Sequence, residues 1–155
     1  MNHKQYEIYK PNPSNAGCAF SFKIIETDKE GNKIKPSVIV QSIKQASWDN
    51  QRKKGSFSAN AKDPEKNIHF KLNHNEVGGI LHAIENYTDF SAYHTYNDDK
   101  TQISFKPYTK KNGDKAFSFS VIKNTTLKFG LGIELGEART LKGLFDLFLF
   151  KYFNY

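Results

Sequence analysis

Few side chains in this sequence have the type and spacing for bond-making chemistry. The stretch "GLGIELG" (130–136) is the nearest to a phosphate-binding glycine loop. It lacks the G-x-G-x-x-G spacing and lies in an alternating strand pattern, where glycine relieves crowding in a twisted strand. Histidine offers metal or proton chemistry, and His3, His69, His74, His82 and His94 are present. None belongs to an HExxH motif, and Cys18, the single cysteine, cannot anchor a structural zinc site. His69 and His74 flank a strand end and read as sheet-face or solvent residues. Asp63–Pro64 and Asp98–Asp99 read as turn chemistry rather than a catalytic carboxylate pair. No serine sits in a nucleophile-elbow context. Neither an enzyme nor a cofactor site is expected.

A second chemistry, non-covalent, recurs along the strands. In "TQISFKPYTKKNGDKAFSFSVI" (101–122), Ile103, Phe105, Phe117, Phe119 and Val121 share one face. Gln102, Ser104, Lys106, Tyr108, Ser118 and Ser120 share the other. The same alternation puts Ser21 and Lys23, His69 and Lys71, and Tyr93 and Thr95 opposite core positions, with no carboxylate among these outward residues. Lysines in this pattern neutralise phosphates, and tyrosines stack unpaired bases for about 1–3 kcal/mol each. Exposed aromatics suit splayed single strands better than a duplex, whose bases are already stacked. The nucleic-acid-binding candidates are Lys23, Lys71, Tyr93, Lys106 and Tyr108 on sheet faces, then Trp48, Arg52, Lys53, Lys54 and Phe57 in a connecting loop. An ordinary solvated sheet face is the competing reading.

These side chains need a scaffold, and the hydrophobic period supplies one. "YEIYK", "CAFSFKII", "SVIVQSIKQAS" and "IHFKL" read as strands. "WDNQRKKGSFSANAKDPEKN" between the last two reads as loop. "NHNEVGGILHAIENY" shifts to helical spacing, with Asn73 and Glu76 as a capping box. Gly78 and Gly79 weaken that helix unless something approaches its backbone closely. "DFSAYHTY", "TQISFKPY", "AFSFSVIK" and "TLKFGLGIEL" are four more strands, with the favoured Asn112–Gly113 pair in one hairpin loop. "GEARTLKGLFDLFLFKYF" is a second helix. The expected fold class is α+β: two four-stranded antiparallel sheets, each followed by a helix, in one domain over 1–155.

Composition bounds the partners. A chain of 155 residues suffices for one core. The net charge of +7 argues for a polyanionic partner. Residues 1–72 hold 13 basic and 7 acidic residues, a net +6, so the basic surface should lean toward the first sheet and the loop after Trp48. One cysteine excludes an intramolecular disulfide framework, and no apolar run approaches a membrane span. The N-terminus lacks the apolar core of a signal peptide, so a cytoplasmic location is expected. On the last helix, Ala138, Leu141, Leu144, Phe145, Phe148, Leu149, Tyr152 and Phe153 cover about half the circumference, with Leu147 and Phe150 outside that arc. So wide an apolar surface calls for a second cover. Leu147, Phe148, Phe150 and Phe153 are the expected oligomer contacts.

The order of elements resembles the Whirly family of single-stranded-DNA-binding proteins. Local matches are "SVIVQSI…SWDNQRK" (Trp48, Asp49, Arg52, Lys53), "IHFKLNHNEVGGIL" (Phe70, Leu72, Glu76, Val77, Gly78), "DFSAYHT" (Phe90, Tyr93, His94) and "GDKAFSFSV" (Phe117, Phe119, Ser120, Val121). The resemblance spans about Tyr6 to Tyr152. It implies a homotetramer joined through its helices, binding single-stranded DNA, or RNA, over its sheets largely without sequence specificity, in replication, recombination or repair. Where plant members carry a Lys-Gly-Lys-Ala-Ala-Leu motif this chain has "NAGCAFSF", and its 51–67 loop is longer. No transit peptide is visible, which points to a bacterial cell or a phage-infected host. The alternative is a non-enzymatic protein-interaction or phage structural module.

Overall fold

A computed structural model describes residues 4–155; His3 lies outside them. In chain order the strands are β1 (Lys4–Lys10), β2 (Cys18–Thr27), β3 (Lys33–Lys44), β4 (Ser47–Asp49), β5 (Lys54–Ser56) and β6 (Asn67–Leu72). Helix α1 (His74–Asn86) follows, then β7 (Phe90–Tyr96), β8 (Asp99–Thr109), β9 (Lys115–Lys123), β10 (Leu127–Glu134) and helix α2 (Leu135–Phe153). The fold is α+β, with antiparallel sheets of order β1-β2-β3-β6 and β10-β9-β8-β7. The expected pair of sheets omits a third, the two-stranded β4–β5 hairpin inside the segment that reads as loop. Its strands are three residues long, too short to show a period. Its turn depends on Asp49, whose Oδ1 accepts from the N–H groups of Gln51 and Arg52, and on Lys53 at φ 55°.

The alternation read from the sequence decides which face each sheet buries. Phe20, Phe22 and Ile24 of β2, with Val38 and Val40 of β3, point inward and are buried. Ile103 and Phe105 of β8, with Phe117, Phe119 and Val121 of β9, point inward from the other sheet. The inner faces meet: the Phe119 ring lies edge-on to Phe20 at 5.0 Å and to Phe22 at 5.7 Å. Burying each such ring contributes about 1.5–3 kcal/mol, with roughly 0.5–1.5 kcal/mol more per edge-to-face pair. One continuous core runs through both sheets and both helices.

The helices close the open sides of this core. The Asn73 side chain accepts from the Glu76 N–H at 2.8 Å, and Glu76 Oε1 accepts from the Asn73 N–H at 2.9 Å, completing the expected capping box. The other Glu76 oxygen pairs with His94 Nε2 at 2.6 Å, so one carboxylate caps α1 and holds β7. Gly79 is the helix position that needs glycine, because a Cβ there would stand 2.6 Å from the Phe90 ring. Helix α2 buries Ala138, Leu141, Phe145 and Phe148, with Phe145 edge-on to Phe22 at 5.9 Å. No helix among the described residues is long and apolar enough to cross a membrane.

Ion pairs fix the two ends of α2 to the first sheet. Near one end Lys10 meets Glu137 at 2.7 Å; near the other, Glu26 meets Lys151 at 2.9 Å and Lys4 of β1 at 3.0 Å. The hydrogen bond from Lys151, then that from Lys4, holds the Glu26 carboxyl below its ordinary pKa. A carboxylate depressed by folding stabilises above its unfolded pKa and loses that contribution as pH falls through the folded value. Glu26→Gln is expected to cost about 1 kcal/mol or less at pH 7, as partly exposed pairs do. Urea unfolding at pH 7 and again below about pH 4 should show the gap between variant and wild type closing in acid.

Candidate nucleic-acid interface

The outer face of the second sheet is set by its register. Counting from β7 to β10, one row of opposed residues is Tyr93–Gln102–Ile122–Lys128 and the next is Ser91–Ser104–Ser120–Gly130. Lys106–Ser118–Gly132 and Tyr108–Ala116–Glu134 follow on β8 to β10. The middle rows form a lane of serine and glycine. Small side chains there let a ligand come close to the backbone. Exposed Tyr93 and Lys128 border the lane on one side, and exposed Lys106 and Tyr108 on the other.

Tyr108 lies across the sheet rather than standing up from it. A Cβ on Gly132 would fall 2.5 Å from the Tyr108 hydroxyl, so the phenol reaches over β9 and ends above Gly132. Ala116, its neighbour on β9, is only 1% exposed although it faces outward. Gly132 therefore serves as the seat of an aromatic ring, not as relief for strand twist. Gly130 differs, since a Cβ there would meet nothing nearer than the Phe119 carbonyl oxygen at 3.6 Å.

The outer face of the first sheet carries the rows Gln5–Lys23–Ile39–Lys71, Glu7–Ser21–Gln41–His69 and Tyr9–Ala19–Ile43–Asn67. Lys23 and Lys71 thus flank Ile39 on one face, as their parity requires. Burial pushes the His69 imidazole pKa down, which favours its neutral form. This face carries a carboxylate, Glu7, which accepts from the Tyr9 hydroxyl; that hydrogen bond is the main cause raising the Tyr9 pKa to about 12. On the second sheet the corresponding acid, Glu134, is paired with Lys110 at 3.2 Å at the sheet margin.

The connecting segment divides. Arg52, Lys53 and Lys54 are exposed at the tip of the β4–β5 hairpin, and Trp48 is half-buried beside Gly55 with its indole N–H shielded and without an acceptor. Phe57 corrects the sequence expectation. It is 7% exposed and packs on Tyr9 at 5.6 Å, anchoring the segment to the first sheet instead of offering a ring to a base. Phe148 is a second correction, because at 1% exposure it belongs to the chain's own core. Leu147 is exposed, as are Phe150 at 67% and Phe153 at 71%.

The chosen residues form three groups. Because the inner faces pack together, the two outer faces point apart: Lys23 and Lys71 lie on one, Tyr93, Lys106 and Tyr108 on the other, and the basic hairpin is separate. Lys128 joins the second group and was legible as an outward position opposite Leu127 and Phe129. Lys44 and Lys66, which converge with Lys128 at the edge of β10, carry no sequence signal. No protein-family model matches the chain, and no curated protein is significantly similar to it.

The seat of Tyr108 is testable without changing Tyr108. Gly132→Ala should keep the fold, because the atom displaced is the far end of a side chain. It should lift the phenol off the sheet. Chymotryptic cleavage or nitration at Tyr108 should rise severalfold at unchanged thermal stability, whereas an unchanged modification rate would place the ring elsewhere.

Proposed function

We propose that this protein binds single-stranded DNA or RNA, largely without sequence specificity, as a homo-oligomer that performs no covalent chemistry. The observation that carries the reading is the outer face of the second sheet, where Tyr93, Lys106 and Tyr108 border a lane of serine and glycine. Exposed rings offer π-faces that any base can stack on, and the ammonium groups replace counterions along the backbone. Lys23, Lys71 and Lys106 make no ion pair among the described residues, so their charge is available to a ligand. Neither helix offers a basic reading head for a duplex groove. Helix α1 has no lysine or arginine, and in α2 Lys142 is paired with Asp146 and Lys151 with Glu26. That leaves Arg139 as the one unpaired base on that helix among the described residues.

The reading includes a Whirly-like arrangement, with the β4–β5 hairpin as an addition and chains joined through α2. Leu147, Phe150 and Phe153 are the contacts, without Phe148. Joining copies there would bring several sheet faces into one assembly, as a tetramer would. The reading extends to a role in DNA replication, recombination or repair in a bacterial or phage-infected cytoplasm, as the Whirly resemblance implies.

Fluorescence anisotropy with a labelled oligothymidine of roughly thirty residues, against a matching duplex, tests the binding. The single strand should bind with an affinity that falls by about 0.7 log units per contacted phosphate for each decade of salt. Changing Lys106→Gln together with Tyr108→Ala should weaken it about tenfold or more, on the scale of one lost stack and one lost phosphate. Equal binding to both forms, or to neither, would reject the reading in favour of a protein-interaction module.

Assembly is tested separately. Sedimentation of wild type against Phe150→Ser/Phe153→Ser should show a larger species collapsing to monomer with circular dichroism unchanged. A monomeric wild type would remove the α2 interface.

A further inference from the structure

The edge of β10 holds a second basic feature. A cleft of about 400 Å³ opens between β10 and the ends of β2 and β3, lined among others by Lys44, Asn60, Lys66, Lys128 and Gly130. No carboxylate lines it. Its three lysines make no ion pair among the described residues. Like charges around one concavity raise each other's energy, and an anion held between them relieves it.

The cleft is held in shape from within. The Lys44 N–H donates to the Lys66 carbonyl at 2.9 Å, and the Asn60 amide donates to the Lys44 carbonyl at 2.9 Å, which ties both lysine backbones together. Lys44 Nζ lies over the buried Phe129 ring, 5.6 Å from its centroid, on the β10 wall. Position matters as much as charge. Lys128 ends the row that begins at Tyr93, and Gly130 ends the serine lane. The lane therefore runs off the second sheet directly into the cleft. On the far side, Ala46 of the lining bonds to Ser56 at 2.7 Å, at the base of the hairpin that carries Arg52, Lys53 and Lys54.

We propose that this cleft takes backbone phosphates of a single strand as the strand leaves the second sheet over Gly130, and passes it toward the basic hairpin. This rests on the reading of that sheet as the strand-binding face. It gives two of the three separated groups, the second sheet's face and the hairpin, a route around one edge, from Lys106 through Lys128, Lys66 and Lys44 to Arg52, Lys53 and Lys54.

The test uses the full chain and two lengths of labelled oligothymidine. Four strands about 4.8 Å apart make a lane of about 14 Å. About four nucleotides at roughly 3.4 Å each stay on the sheet, whereas about twelve must continue into the cleft. Lys44→Gln/Lys66→Gln changes the two cleft lysines that lie off the sheet lane, and neither makes an ion pair among the described residues. For the longer strand its salt slope should fall by about 1.4, two phosphates at about 0.7 each, while the short strand keeps the wild-type slope. An unchanged long-strand slope, with Lys106→Gln/Tyr108→Ala still weakening binding, would overturn the cleft and leave the sheet face standing. A wild type that binds neither length would overturn both. Inorganic phosphate at fixed ionic strength separates a strand phosphate from a free one. Competition with the longer strand that is lost in the lysine variant supports the proposal. Phosphate binding at these lysines without any change in the long-strand slope would make the cleft a free-anion site and overturn it.

Discussion

Phe119 against Phe20 and Phe22 is the contact on which the rest of this structure depends. It joins the inner faces of two sheets built from opposite halves of the chain. Once those faces are buried together, every outward side chain on one sheet is turned away from those on the other. The core that stabilises the fold thereby separates the groups that would serve a ligand. The proposed binding face is consequently one sheet plus whatever its edge connects to.

Electrostatics follow the same division. Where acids and bases meet between elements, as at Lys10–Glu137, Lys151–Glu26 and Lys142–Glu85, they clamp α2 to its surroundings. Their charge is locally spent. Lys44, Lys66, Lys106 and Lys128 have no such partners among the described residues, and they border the second sheet's outer face and its β10 edge. Lys106 and Lys128 lie on a sheet face that also exposes tyrosine and small polar residues. That conjunction is what the proposed function rests on.

Glycine shows how the same residue serves different ends. Gly79 admits the Phe90 ring of β7 against the bare backbone of α1. Gly132 admits Tyr108 against β9 and β10, which keeps the phenol flat and covers Ala116. Gly130, one repeat earlier on the same strand, has no side chain above it and leaves the lane open. Glu76 unites two further jobs, capping α1 through one oxygen and receiving His94 through the other. The second sheet's edge strand is thus placed by a helix cap and a bare helix backbone together.

The sequence by itself determined the eight long strands, both helices and the buried side of β2, β6, β7, β8 and β9, whereas β3 is apolar on both faces. Those features repeat with a period of two or 3.6 and are written in consecutive residues. Lys23, Lys71, Tyr93, Lys106 and Tyr108 were legible as outward residues for that reason. The β4–β5 hairpin was not, because its three-residue strands carry no period. Phe57 and Phe148 were misjudged because local spacing says which way a ring points but not what lies there. Tertiary structure alone decided that Tyr9 and the core receive those rings, that the two outer faces diverge, and that Lys44, Lys66 and Lys128 share one cleft. Those facts depend on which distant segments pack together, and burial of the phenylalanine faces settles that only in three dimensions.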